Sequence, residues 1–196
     1  MTSFISKLFG YKHRKPYDTA EIYLSLRQQI FDLPKTNADF GQTDRWAILM
    51  ETGLEDACHT LVAVSDGSAS LYFSNGGGII GGGQHPEGAA AAKAFLELSQ
   101  KFDSRLNRSI ERPLPRPGMI RFYIVKKDDV LTGEFKEEDL GNDRLPLSTL
   151  FYKRHELITV IRRIEQKRKG EPGGANRSQP IRTKTNPTSG TDGSDR

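Results

Sequence analysis

The chain has 196 residues, 35% hydrophobic and 28% charged, a length that suits one globular domain with tails. Its single cysteine, Cys58, excludes an intrachain disulfide and a cysteine-rich zinc cluster, and no apolar run nears the roughly 20 residues of a membrane-spanning helix. The net charge of +4 is uneven: residues 1–17 carry four bases and no acid, 167–196 carry seven bases and three acids, and 18–166 carry 18 bases against 22 acids. A basic nucleic-acid-binding body is therefore not supported, whereas basic arms on a mildly acidic body are.

Residues 1–17 place Phe4, Ile5, Leu8 and Phe9 at helical spacing ahead of the basic cluster Lys12-His13-Arg14-Lys15. Such an arm suits peripheral contact with an anionic membrane surface, or it covers part of the domain. A first helix is expected from Thr19 to Phe31, capped by Asp18 with Glu21 three residues on, and with Ile22, Leu26 and Ile30 as its apolar stripe, widened by Tyr23 and Leu33. Pro34 ends it. Trp46–Met50 is apolar throughout and reads as a central strand covered on both faces. Glu51-Thr52-Gly53 begins a turn. Thr60–Val64 and Ser68–Phe73 form a hairpin about Asp66-Gly67, a pair that favours positive φ.

The stretch Gly76–Gly83 holds six glycines in eight residues, a costly composition to order. It precedes a second helix from Pro86 to Leu106, with Ala92, Phe95, Leu96, Phe102 and Leu106 buried. Arg112–Pro117 is an extended, polyproline-like linker. Met119–Val125 and Val130–Phe135 form a second hairpin about Lys127-Asp128-Asp129. A third helix, Leu147–Gln166, turns Leu150, Phe151, Ile158, Ile161 and Ile164 inward. The order α-β-β-β-α-β-β-α describes an α+β fold: an antiparallel sheet of about five strands, helices mainly on one face. Residues 167–196 are nearly without apolar side chains and are expected to be a disordered basic tail.

Gly76, Gly78 and Gly81 match G-x-G-x-x-G, but the helix starts too late, no acidic residue follows at about 20 residues, and the strands form a meander rather than a βαβ unit. Dinucleotide binding is set aside. Backbone amides near Gly81–Gly83, with Asn75, Gln84 and His85, suit a phosphate or carboxylate. Ile79 and Ile80 on a glycine hinge suit insertion into a partner, and the plain structural reading is a flexible connection that lets the third strand turn onto the second helix. Cys58 lacks a nucleophile's neighbours, since His59 points to the opposite face of a strand; His85 and His155 carry no local signature as its base. The four histidines have no metal-ligand spacing. The acids Asp128-Asp129 and Glu137-Glu138-Asp139 read as turn and loop solvation.

The sequence thus points to a cytoplasmic, non-enzymatic protein-binding or adaptor domain, without cofactor or metal, that offers Asn75, Gly78, Ile79, Ile80, Gly81, Gly83, Gln84 and His85 to a protein partner. One alternative is a small phosphate- or nucleotide-binding protein using the same loop. Another is attachment to a polyanion or membrane surface through the basic ends. There Arg162, Arg163, Lys167, Arg168 and Lys169 would make weak, non-specific, salt-sensitive contacts with nucleic acid.

Overall fold

A computed structural model describes residues 17–36 and 43–170. The elements run α1 (Glu21–Thr36), β1 (Arg45–Gly53), β2 (Cys58–Val64), β3 (Ala69–Phe73), β4 (Gly78–Ile80), α2 (Pro86–Leu98), β5 (Asn107–Arg108), β6 (Met119–Lys126), β7 (Val130–Lys136), α3 (Glu137–Gly141) and α4 (Ser148–Gly170). Short 3-10 turns fill Gly82–Gln84 and Ser99–Arg105. All seven strands join one open antiparallel sheet in the order β4-β3-β2-β1-β6-β7-β5. The fold is α+β as expected. The two added strands, β4 and β5, have three and two residues, too few to leave a periodic pattern in the sequence.

β1 lies at the centre, and all nine of its residues are buried. Ile48 and Met50 face a core built with Phe95 of α2, Leu140 of α3 and Leu150 and Ile161 of α4. Ala47 and Leu49 face a second core with Tyr23, Ile30 and Phe31 of α1. Burial on both faces explains why β1 shows no polar alternation. Three helices cover one face. On the other, the strap of residues 112–117 joins α1: its Leu114 packs on that core, and its Pro113 and Pro115 carbonyls accept hydrogen bonds from the Tyr123 and Tyr17 hydroxyls at 2.5 and 2.9 Å.

Several expectations need correction. Helical bonding in α1 begins with Leu24 N–H to Ala20 O (3.2 Å), not at Asp18, because the Ala20 N–H is drawn to Ser74 O (2.8 Å) in the β3–β4 turn. The helix also runs through Pro34 to Thr36, since a proline in the last turn removes only one donor. Its inward stripe is Tyr23, Arg27, Ile30 and Phe31, while Ile22 is 53% exposed. The helix is rotated because β1 continues through Glu51, expected in a turn, and Glu51 is fully buried opposite Arg27. The second helix stops at Leu98 and tightens into a 3-10 turn, yet all five side chains assigned to its core are buried.

The acids at 137–139 form the first turn of α3, where negative charge suits the helix N-terminus. In α4 the inward set includes Leu157 and Arg154, and Ile158 is only half-buried. Arg154 lies 3.8 Å from the Phe151 ring centroid, bonds Glu137 (3.3 Å) and bonds the Thr52 hydroxyl (3.2 Å). The helix continues to Gly170, so Lys167, Arg168 and Lys169, placed in the tail from sequence, are helical. The expected arm, apart from Tyr17, and the tail beyond Gly170 lie outside the described residues. No helix among the described residues is long and apolar enough to cross a membrane.

Candidate functional site: the glycine-bounded sheet edge

The glycine run divides into two structural halves. The first closes the β3–β4 hairpin. Gly76 N–H bonds Phe73 O (2.9 Å), Phe73 N–H bonds Gly77 O (2.8 Å), and the Asn75 side-chain oxygen accepts from Gly77 N–H (3.0 Å). Asn75 thus shapes the turn, as this residue type commonly does. The bond between Phe73 and Gly77 also sets the phase of the ladder. Bonded and non-bonded pairs alternate in an antiparallel ribbon, so Leu71 and Ile79 form the next bonded pair. The N–H and C=O groups of Gly78 and Ile80 therefore point away from β3.

Among the described residues no strand pairs with that outer side. Side chains alternate with it. Ile79 is half-buried against the larger core, whereas Ile80 stands 56% exposed on the face that carries α1. The arrangement is a short sheet edge with open backbone groups and one projecting aliphatic side chain.

The second half packs rather than projects. Gly81 sits at φ 85°, a left-handed conformation that turns the chain out of β4. Gly82 is buried beneath Ile161 of α4. At Gly83 a Cβ would collide with the Gly67 carbonyl in the β2–β3 turn. These glycines let two turns and α4 approach one another closely. Gln84 and His85 follow, both exposed, and His85 precedes α2 without a side-chain capping bond. The eight residues chosen from sequence thus separate. Gly78, Ile79 and Ile80 form the edge, Asn75 its turn, Gly81 and Gly83 its packing, and Gln84 and His85 a neighbouring surface.

The basic residues of α4 are partly neutralised. Arg163 pairs with Glu87 (2.5 Å), and Arg168 and Lys169 pair with Glu165 (3.4 and 3.3 Å). Arg162 and Lys167 are exposed, with no ion pair among the described residues. One contact joins the two groups: the Arg168 guanidinium donates to Ile80 O at 3.3 Å, across 88 residues of sequence. The outward carbonyl of Ile80 is thereby occupied, and Gly78 N–H, Gly78 C=O and Ile80 N–H remain at the edge.

Sequence reasoning missed the polar cluster beneath α1. Arg27 grips Glu51 with two bonds, Nε–Oε1 at 2.6 Å and Nη2–Oε2 at 3.0 Å. The Thr60 hydroxyl donates to Glu51 (3.2 Å) and shares a 2.8 Å bond with the Tyr23 hydroxyl, which also reaches Cys58 Sγ at 3.5 Å. Burial acts to lower the Arg27 pKa, but the Glu51 charge and hydrogen bonds outweigh it, so the net shift is upward. Burial, with the Glu51 charge adding, pushes the Cys58 thiol up to about 12. A buried thiol held protonated is a poor nucleophile. The available signal was Glu51 itself, an acid directly continuing an apolar run. Among the described residues no cluster of histidine, cysteine and carboxylate has metal-binding geometry.

The chain matches no family model, no curated protein and no solved structure with which it was compared.

Proposed function

We propose that the protein is a non-catalytic binding module that takes up an extended, acidic segment of a protein partner along β4. The observation carrying this reading is the outward orientation of the Gly78 and Ile80 backbone groups beside the exposed Ile80 side chain. Strand addition draws affinity from main-chain bonds and specificity from alternate side chains. Native edges are commonly blunted by charge, proline or cover, and β4 carries none of these on its own residues. Arg162, Lys167, Arg168 and Lys169 supply positive charge on the helix that reaches the edge, which favours acidic side chains in the incoming strand. The lone buried thiol is in keeping with a cytoplasmic setting.

The test is selection of extended peptides from a random display library, followed by titration into Ile80→Pro and Ile80→Lys. Proline removes an N–H that faces outward, so the ladder to β3 stays intact and the melting temperature changes little. Selected peptides should be acidic and should lose affinity at least about tenfold against Ile80→Pro. Peptides that bind this variant as well as they bind the original chain would exclude the edge.

Attachment to a polyanion is a second reading, favoured by the exposed Arg162 and Lys167, which have no ion pair among the described residues. Binding of duplex DNA that falls steeply with salt and is insensitive to Ile80→Pro would support it over the first. The share of residues 1–17 in contact with a membrane is a question for vesicle sedimentation with and without that arm.

A further inference from the structure

At the opposite end of the sheet, the β6–β7 hairpin, β5 and the chain after it enclose a cleft of about 530 Å³. Its rim carries four basic side chains, Arg108, Arg112, Lys126 and Lys127, against the two acids Asp128 and Asp129. The pairings sort these charges. Arg108 is bound to Asp129 at 3.0 Å, and Lys126 lies between Asp44 and Asp103 at 3.3 and 3.5 Å. Arg112, Lys127 and the exposed Asp128 are left, none with a side-chain ion pair or hydrogen bond among the described residues, so the unpaired charge of the rim is positive by one.

Arg112 is held in place with no ion pair among the described residues, although the Asp32 carboxylate acts on its charge from farther off. Its guanidinium stacks on the Phe31 ring, 4.3 Å from the centroid. Its Nε is buried with no hydrogen-bond partner. The backbone that carries it is pinned by the next residue, since the Pro113 carbonyl accepts from the Tyr123 hydroxyl at 2.5 Å and from Arg27 at 3.4 Å. A fixed, stacked guanidinium with no carboxylate in ion-pair contact is a preorganised anion donor, because little rotamer freedom is left to lose on binding. Beside it Ile110 is 96% exposed, the most exposed large apolar side chain among the described residues. A bare aliphatic rim next to an unpaired cation fits a ligand that is charged at one end and apolar at the other.

We propose that this cleft binds a small organic anion, a carboxylate or phosphate carried on an apolar body. Arg112 takes the anion from its stacked position, Lys127 adds charge from the hairpin, and Ile110 covers the apolar part. Arg108 holds Oδ2 of Asp129 and offsets part of its charge, while Oδ1 is buried without a hydrogen-bond partner. The site is independent of the β4 edge and shares no residue with it.

The experiment is calorimetric titration of the full chain with phenyl phosphate and benzoate, with benzyl alcohol and inorganic phosphate as controls. The two aromatic anions should saturate one site and weaken as salt rises. Arg112→Gln should reduce their affinity about tenfold or more, the loss of hydrogen bonds to a charged group. Because Arg112 contributes packing to Phe31, Lys127→Ala is the companion variant. The Lys127 side chain is exposed and makes no ion pair or hydrogen bond among the described residues, and the bond from its backbone N–H to Asp44 O is kept in the variant, so its loss should weaken binding severalfold with an unchanged melting temperature. Ile110→Ser should weaken phenyl phosphate but leave inorganic phosphate unaffected. Absence of saturable binding by either aromatic anion overturns the proposal. So does equal binding of benzyl alcohol, or binding indifferent to both Arg112→Gln and Lys127→Ala.

Discussion

Removing Arg27 from its buried pair with Glu51 tests the interior most directly. Glu51 is fully buried and Arg27 is 7% exposed, so neither charge has water to fall back on. In Arg27→Met the aliphatic bulk is kept, but the Glu51 carboxylate retains only the Thr60 hydroxyl, at 3.2 Å, of the donors it has now. Breaking a buried pair on one side costs about 3–5 kcal/mol. The guanidinium also lies 5.0 and 5.3 Å from the Phe31 and Tyr123 ring centroids, contacts that add up to about 1 kcal/mol. At about 2–4 °C per kcal/mol for a chain of this size, the melting temperature should fall by about 6–24 °C. Urea denaturation followed by circular dichroism supplies the free energy. The double variant Arg27→Met/Glu51→Leu removes both charges and should recover most of the loss, because the cost lies in the orphaned carboxylate. A single variant losing less than about 1 kcal/mol, or single losses that simply add in the double variant, would refute this account of the pair.

Gly83→Ala should destabilise the fold by about 1–3 kcal/mol, because the new methyl meets the Gly67 carbonyl and displaces the β2–β3 turn; calorimetry is the check. Gly77→Ala, where the nearest neighbour of a Cβ is the Asn75 side-chain oxygen at 3.3 Å, should cost less, so equal costs would contradict the division of the glycine run into packing and edge halves. Burial, with Arg154 and Arg162 adding and Glu137 opposing, holds the His59 imidazole below its ordinary 6.5. The folded state therefore disfavours the protonated ring: the stability tied to His59 is present above pH 6.5 and is lost as pH falls toward the folded value. Thermal melts from neutral to mildly acidic pH should show this decline, and His59→Gln should flatten it. Cys58, 1% exposed with its pKa near 12, should react with an aromatic disulfide reagent only as fast as the fold opens; labelling that outruns backbone hydrogen exchange of β2 would count against its burial.

What the sequence determined by itself is the local frame. Trp46–Met50 announced a two-sided central strand because every position was apolar. Asp66-Gly67 announced a hairpin, and Gly67 does sit at φ 91°. Ala92, Phe95, Leu96, Phe102 and Leu106 marked a buried helix face through their spacing. Each signal is local, carried by a few residues and one period. Tertiary structure alone decided the rest. Ile22 and Arg27 exchanged the places that hydrophobicity assigned them, because a carboxylate 24 residues away in sequence needs its counter-charge more than an isoleucine needs cover. Arg168 reached Ile80, and Arg112 settled on Phe31, through contacts between segments far apart in the chain. The glycine run shows both limits at once. Its composition declared an unusual backbone, but which glycines pack and which form an open edge depends on where the β2–β3 turn and α4 come to rest, and no periodicity encodes a distance between two segments.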